Sequence, residues 1–356
     1  MKNISRKCFM TSVVCIILGG ILLGAGYATG GLQDIKHQTA PKKVIKTFDQ
    51  ITALDIDSSA STITVETGPV QRPTVTYYTH PKFIDPLEIK IENETLHISE
   101  KPRDVITGGM ELIGFGLNKS DRNHNYRTTT ITLPKGTSLK ELKGSSMPQA
   151  TISDLTIQDL EFSGGLTLLN TRIKKGKVFG TFDATDSLLA NLELKADYSL
   201  SSLTNSSLEN GTISLGHGQL TTKNTNLKSV TIQSLSPGGV EAEETSLENV
   251  TFTVTSEQEN EETNDNGAIF TAHALTLKGT NTISGGDVAV DITLTNPKTT
   301  AYKTKTEDGK ISLGSQLTPA KIGKESTSDV ISYVAENKAA TGNLTVNLNK
   351  GDITIK

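Results

Sequence analysis

Between residues 151 and 255 the chain repeats itself. Six times an apolar residue follows an Asp, Asn or Glu by three positions: Asp154 and Ile157, Asn170 and Ile173, Asp186 and Leu189, Asn205 and Leu208, Asn224 and Leu227, Glu244 and Leu247. Three residues beyond each anchor stands Leu160, Gly176, Leu192, Gly211, Val230 or Val250, and five beyond it Phe162, Val178, Leu194, Ile213, Ile232 or Phe252. The anchors are 16, 16, 19, 19 and 20 residues apart. A unit this short holds strands and turns but cannot bury its apolar face alone; stacking it on the next unit does. The pattern therefore predicts a β-solenoid, a β-helix-like stack. A twisted sandwich of successive hairpins is the alternative, because alternation alone fits both.

Composition agrees with a narrow core. Aromatic residues are 4% of the chain and Trp is absent, so bulky rings that usually fill a spherical core are scarce. The polar residue ahead of each anchor invites a reading as a calcium or sugar ladder. Corners explain it better: Asn and Asp tolerate left-handed turns and bond to nearby backbone. A metal site would need several carboxylates converging on one point, and this column mixes charged and neutral members.

Outside the core the same alternation continues. Leu54-x-Ile56, Ile63-x-Val65 and Val75-x-Tyr77 alternate, and residues 87–100 read as a hairpin with a polar turn at 92–95. The C-terminal part alternates again through Val288-x-Val290-x-Ile292 and Leu344-x-Val346-x-Leu348, ending on Ile353-x-Ile355, so the C-terminus is expected to be tied into the stack.

The N-terminus sets a different constraint. Lys2, Arg6 and Lys7 precede an uncharged run at 9–27. As a helix that run spans roughly 28 Å, the thickness of a bilayer core. Positive charge ahead of it predicts a cytoplasmic N-terminus and an external C-terminal domain in the cell membrane. The small residues Gly26 and Ala28 also allow cleavage as a signal peptide, which would release a secreted protein. Retention is favoured because the run is long for a signal sequence. Residues 32–46 read as a polar tether.

The expected organisation is a cytoplasmic tail at 1–8, a transmembrane helix at 9–27, a tether at 28–43, and an N-terminal β-segment at 44–135 interrupted by a loop at 101–127. A β-repeat core at 136–255 follows, then an acidic loop and a C-terminal β-segment at 256–356. The fold class is all-β, a solenoid ectodomain behind one N-terminal membrane helix.

Several function classes are disfavoured. The net charge is −4 and no basic tract sits beside aromatics, which argues against nucleic acid as a partner. Both cysteines, Cys8 and Cys15, lie in the N-terminal segment, so neither a disulfide framework nor a Cys-based metal site is expected in the β-domain. The six histidines are scattered, and Asp183, Asp186 and Asp197 are the nearest approach to a carboxylate cluster for a carbohydrate-active enzyme. No catalytic, cofactor or metal residues are assigned. The strongest candidate contact is the glycine-rich apolar loop carrying Met110, Leu112, Ile113, Phe115 and Leu117, which would otherwise cover an end of the stack. An acidic block at 241–265 and a lysine-rich block at 297–324 are expected to pair or to be solvated faces. The expected partners are the lipid bilayer, through the helix, and an envelope protein or cell-wall polymer.

The segment Phe48-x-x-Ile51-x-x-Leu54-x-Ile56-x-x-Ser59, then Ile63-x-Val65, the 87–100 hairpin and the closing Gly351-Asp352-Ile353-x-Ile355 resemble the bacterial putative-adhesin family. The resemblance spans 44–356. It implies a membrane-anchored β-strand-repeat domain of unknown function, with some members in cell-envelope stress systems of the Lia type. It brings no catalytic motif, and the anchor, the repeat and the missing active-site constellation together predict a non-enzymatic scaffold or binding module.

Overall fold

Each repeat closes one turn of a three-sided coil. In the computed structural model, which describes residues 2–101, 116, 126–255, 267–317, 321–322, 331–335 and 340–356, one such turn is Leu188–Ala190 on a first face, Leu192–Lys195 on a second and Leu200–Thr204 on a third. Successive turns pair in parallel. The anchors stack in register as Leu139, Ile157, Ile173, Leu189, Leu208, Leu227, Leu247 and Leu277, extending the predicted column at both ends. On the second face a column runs Ile89, Ile98, Ile56, Gly144, Phe162, Val178, Leu194, Ile213, Ile232, Phe252, Ile283, Val346, Thr304, Tyr333. At about 4.8 Å per strand this column is roughly 60 Å long. The parallel pairing establishes the solenoid and overturns the sandwich alternative.

The corners follow from residue chemistry. Between third and first faces stand Asp154, Asn170, Asp186, Asn205, Asn224 and Glu244, with φ of 57, 47, 53, 49, 48 and 49°. This is the left-handed region in which Asn and Asp cost least. Asn170 Nδ2 donates to Asp154 Oδ1 at 2.6 Å and Asn224 Nδ2 to Asn205 Oδ1 at 3.0 Å, so the column is a structural ladder. Directly after five of these corners comes a buried hydroxyl: Thr171, Ser187, Ser206, Thr225 or Thr245. Ser206 Oγ donates to the Thr204 carbonyl at 2.7 Å, and Thr225 Oγ1 lies 3.0 Å from both the Lys223 and the Leu203 carbonyl, the latter on the preceding coil. These hydroxyls add a second bond to carbonyls that already accept a corner amide, Thr204 from Asp186 at 3.0 Å and Lys223 from Asn205 at 2.9 Å, and so find a partner inside the core. Between first and second faces Asn191, Asn210, Ser229 and Asn249 make a second left-handed column.

Both ends of the stack depart from sequence order. At the N-terminal end, Ala53–Asp57 lies between Ser138–Ser153 and Thr95–Glu100, and Thr62–Gly68 between Ser138–Ser153 and Thr128–Pro134. Antiparallel strands then finish the edge: Leu87–Glu92 on one face, Thr74–Thr79 and Lys42–Thr47 on another. At the C-terminal end Gly342–Lys350 lies between Ala268–Leu294 and Thr300–Asp308, and antiparallel Ile331–Ala335 covers the outer edge. The closing strand Ile353–Ile355 pairs with its neighbours on both sides, as expected of a C-terminus tied into the stack.

A helix at Lys2–Ala28 precedes the domain, and its stretch Phe9–Ala28 has mean hydropathy 2.2 with none of it buried against protein. Gly30, at φ 84°, breaks the helix, but the polar tether expected at 32–46 is corrected. A second helix occupies Gly31–Gln38 and a strand occupies Lys42–Thr47. Asp34 in the first turn and Lys36 and His37 in the last complement the helix dipole, and the strand is fixed by pairing with Thr74–Thr79, which local composition does not reveal.

Candidate functional site

The three corners are not equivalent. The first and second corners keep constant length along the repeat, while the third, between second and third faces, absorbs nearly every change. At Gly164 and Gly180 it is as tight as backbone allows: φ is 133 and 126°, and a Cβ on Gly180 would lie 2.4 Å from the Gly164 carbonyl oxygen. Partners on the second face then stay 16 residues apart from Val178 to Leu194, while on the third face Asp183 pairs with Ser202, 19 apart. The three added residues fall in the turn at 196–199. From Thr212 to Thr231 the offset is 19, and from Gln219 to Gly239 it is 20, so one more residue enters at the same corner. In the next coil the second-face offset is 20 from Thr231 to Thr251, but the third-face offset is 30 from Gly239 to Ile269. The acidic segment 256–266 therefore interrupts this corner. So does the segment 102–125, which joins the second-face strand Thr95–Glu100 to the third-face strand Thr128–Pro134. The proposed contact residues Met110, Leu112, Ile113, Phe115 and Leu117 lie outside the described residues.

At the base of that segment Glu100 clamps the adjoining third corner. Its carboxylate accepts from Ser58 Oγ at 2.8 Å, from the Ala60 amide at 2.8 Å and from Ser61 Oγ at 2.9 Å. On the neighbouring edge strand Lys101 and then Lys90, both donating to Glu88, hold its carboxylate at about 2, below the ordinary 4.5.

Mid-stack, the lengthened corners form a groove of about 270 Å³. Tyr198, 81% exposed, and Leu200, 69% exposed, stand on its rim, with Ile269, 49% exposed, three coils further along the outward column Leu200, Gln219, Gly239, Ile269. The Tyr198 ring lies against the His217 ring with centroids 5.0 Å apart, and His217 Nδ1 is 2.7 Å from the Ser236 carbonyl oxygen, which fixes that ring. Gly239 leaves the floor bare because a Cβ there would lie 2.2 Å from the Ile269 carbonyl oxygen. Sequence reading missed this groove. The only signal was the step in repeat interval from 16 to 19, which marks an insertion without saying at which corner.

Several acidic residues of the repeat pair locally. Lys223 lies 2.8 Å from Glu243, and Lys228 lies 3.6 Å from both Glu209 and Glu248, all between adjacent coils. The enzyme alternative finds no assembly: Asp183 accepts from Ser202 on the third face, Asp186 is a first-corner residue, and Asp197 sits at the third corner beside Gly216. Among the described residues no three His, Cys, Asp or Glu side chains are grouped to hold a metal.

The architecture defines a three-sided parallel β-solenoid with capped ends behind a single apolar helix. The chain belongs to the Toastrack DUF4097 family, which it matches over residues 51–356. It is similar to the crystal structure of a putative cell adhesion protein from Clostridium sporogenes, at 11% identity and a TM-score of 0.19, over 89% of this chain and 99% of that one. It is also similar to a putative adhesin from Bacteroides fragilis, at 13% identity and a TM-score of 0.27, over 69% of this chain and 98% of that one. No curated protein matches the chain.

Proposed function

We propose that this protein is a non-enzymatic, membrane-anchored module of the cell envelope, whose solenoid stands outside the membrane and presents its third corner to an envelope protein or cell-wall polymer. The observation that carries this reading is the concentration of inserted length on one corner. In stacked repeats, insertions gather on the face that binds, because the other corners must keep register for the core. The apolar helix and the preceding Lys2, Arg6 and Lys7 support an anchored domain with its N-terminus inside.

Two measurements test it. Membranes from producing cells are washed with carbonate and treated with protease from outside. The full chain should remain with the lipid and lose its β-domain to the protease. A soluble species beginning near residue 29 by N-terminal sequencing would instead make it a secreted adhesin. Detergent-solubilised full chain should co-sediment with purified cell envelopes, and replacing 256–266 by a short Gly-Ser link together with Tyr198→Gly should weaken that association. Sedimentation unchanged by these corner substitutions would overturn the assignment of the contact edge.

A further inference from the structure

We infer that the groove at the third corner, between Tyr198 and Ile269, binds a neutral pyranose polysaccharide laid along the solenoid axis. The inference deepens the contact-edge reading and rests on it.

The ring of Tyr198 carries the argument. A chain with 4% aromatic residues holds this one 81% exposed. It does so at a φ of 58°, in the left-handed region, where a bulky side chain is costly. Strain of this kind persists where surrounding structure imposes it and clusters at ligand sites. His217 backs one side of the ring, and Ser236 on the following coil holds His217 in turn.

The rest of the lining selects the ligand class. Leu200 and Ile269 add exposed C–H surface, while Gln219, in the same outward column, and the Ser199 hydroxyl add hydrogen-bonding groups. The lining contains no Asp, Glu, Lys or Arg. A pyranose has this pattern in complement: an axial C–H face for an aromatic ring, hydroxyls at its rim and no charge. A standard protein–protein interface takes about 20–30 residues from each side, more than the residues from Tyr198 to Ile269 that line this groove.

Dimensions agree along the axis. Turns at 196–199, 215–218 and 235–238 lie on successive coils, so the lining repeats about every 4.8 Å. An extended pyranose polymer advances by a similar distance per sugar. One sugar per coil would place consecutive rings over the turns that carry Tyr198, His217 and Pro237.

The test is calorimetric titration of detergent-solubilised full chain with chitotetraose and cellotetraose, repeated on Tyr198→Gly and Tyr198→Phe. Saturable binding of at least one oligosaccharide is expected. Tyr198→Gly should weaken it by at least about tenfold, the scale of losing an aromatic anchor. Its melting temperature should hold or rise, because glycine relieves the positive φ. Tyr198→Phe should retain binding. Absence of saturable binding, or binding unchanged in Tyr198→Gly, overturns the inference. Co-sedimentation with purified envelopes separates the two failures. Sedimentation without oligosaccharide binding sinks the groove alone, and loss of both sinks the contact-edge reading as well.

Discussion

Corner residues show how single side chains set this fold. Within the repeat at 151–255, five of the six first corners use Asn or Asp, and the sixth uses Glu244 at φ 49°. A glutamate lacks the short local hydrogen bonds that make the left-handed region tolerable. Glu244→Asn should therefore stabilise the protein by about 0.5–1 kcal/mol, read as a higher melting temperature. The buried hydroxyls behind these corners predict the opposite sign. Thr225→Val keeps the volume but removes the hydroxyl's contacts to the carbonyls of Leu203 and Lys223, and should cost about 0.5–1.5 kcal/mol in denaturant unfolding. Glu88 offers a titration test. Its folded value of about 2 lies below the ordinary 4.5, so its ion pairs stabilise the hairpin fully above 4.5 and less as pH falls toward 2. Carboxyl NMR should place its midpoint near 2, and Lys101→Met should move that midpoint upward.

At the scale of strands and turns, inward alternation locks two corners and frees the third. A Gly-Ser pair inserted at 216–217 lengthens a turn that already varies, and should cost about 1 kcal/mol or less. The same pair between Asn205 and Ser206 breaks the hydroxyl ladder and the first-corner column and should cost several-fold more, as comparison of the two melting curves would show. This asymmetry also explains what the sequence revealed. The anchor column, the positions five residues on and the left-handed first corner were legible, because each recurs within one repeat length. The second corner escaped because Ser229 interrupts a run of Asn191, Asn210 and Asn249. The short helix Gly31–Gln38 escaped because eight residues carry little periodicity. The groove escaped because its outward column changes character from Leu200 to Gln219 to Gly239 to Ile269 and is joined only by stacking.

Across the whole molecule, the closure of the ends was invisible to local pattern. Pairing Ala53–Asp57 with a strand more than eighty residues later is a long-range choice that alternation cannot specify. The caps carry their own prediction. A chain ending at residue 340 would lack Gly342–Lys350, leaving Ala268–Leu294 and Thr300–Asp308 each with an open parallel edge. Unpaired edges recruit other chains, so this truncation should elute as oligomers or aggregates in light-scattering chromatography, where the full chain should not.

The capped stack is also a ruler. Its end strands are built from the two extremes of the domain, while the coils between them are interchangeable in register. Adding or removing a whole coil would leave both caps untouched and shift the far end by about 4.8 Å. With the helix joined to the cap that contains Lys42–Thr47, coil number becomes the variable that sets how far from the helix the opposite end can reach.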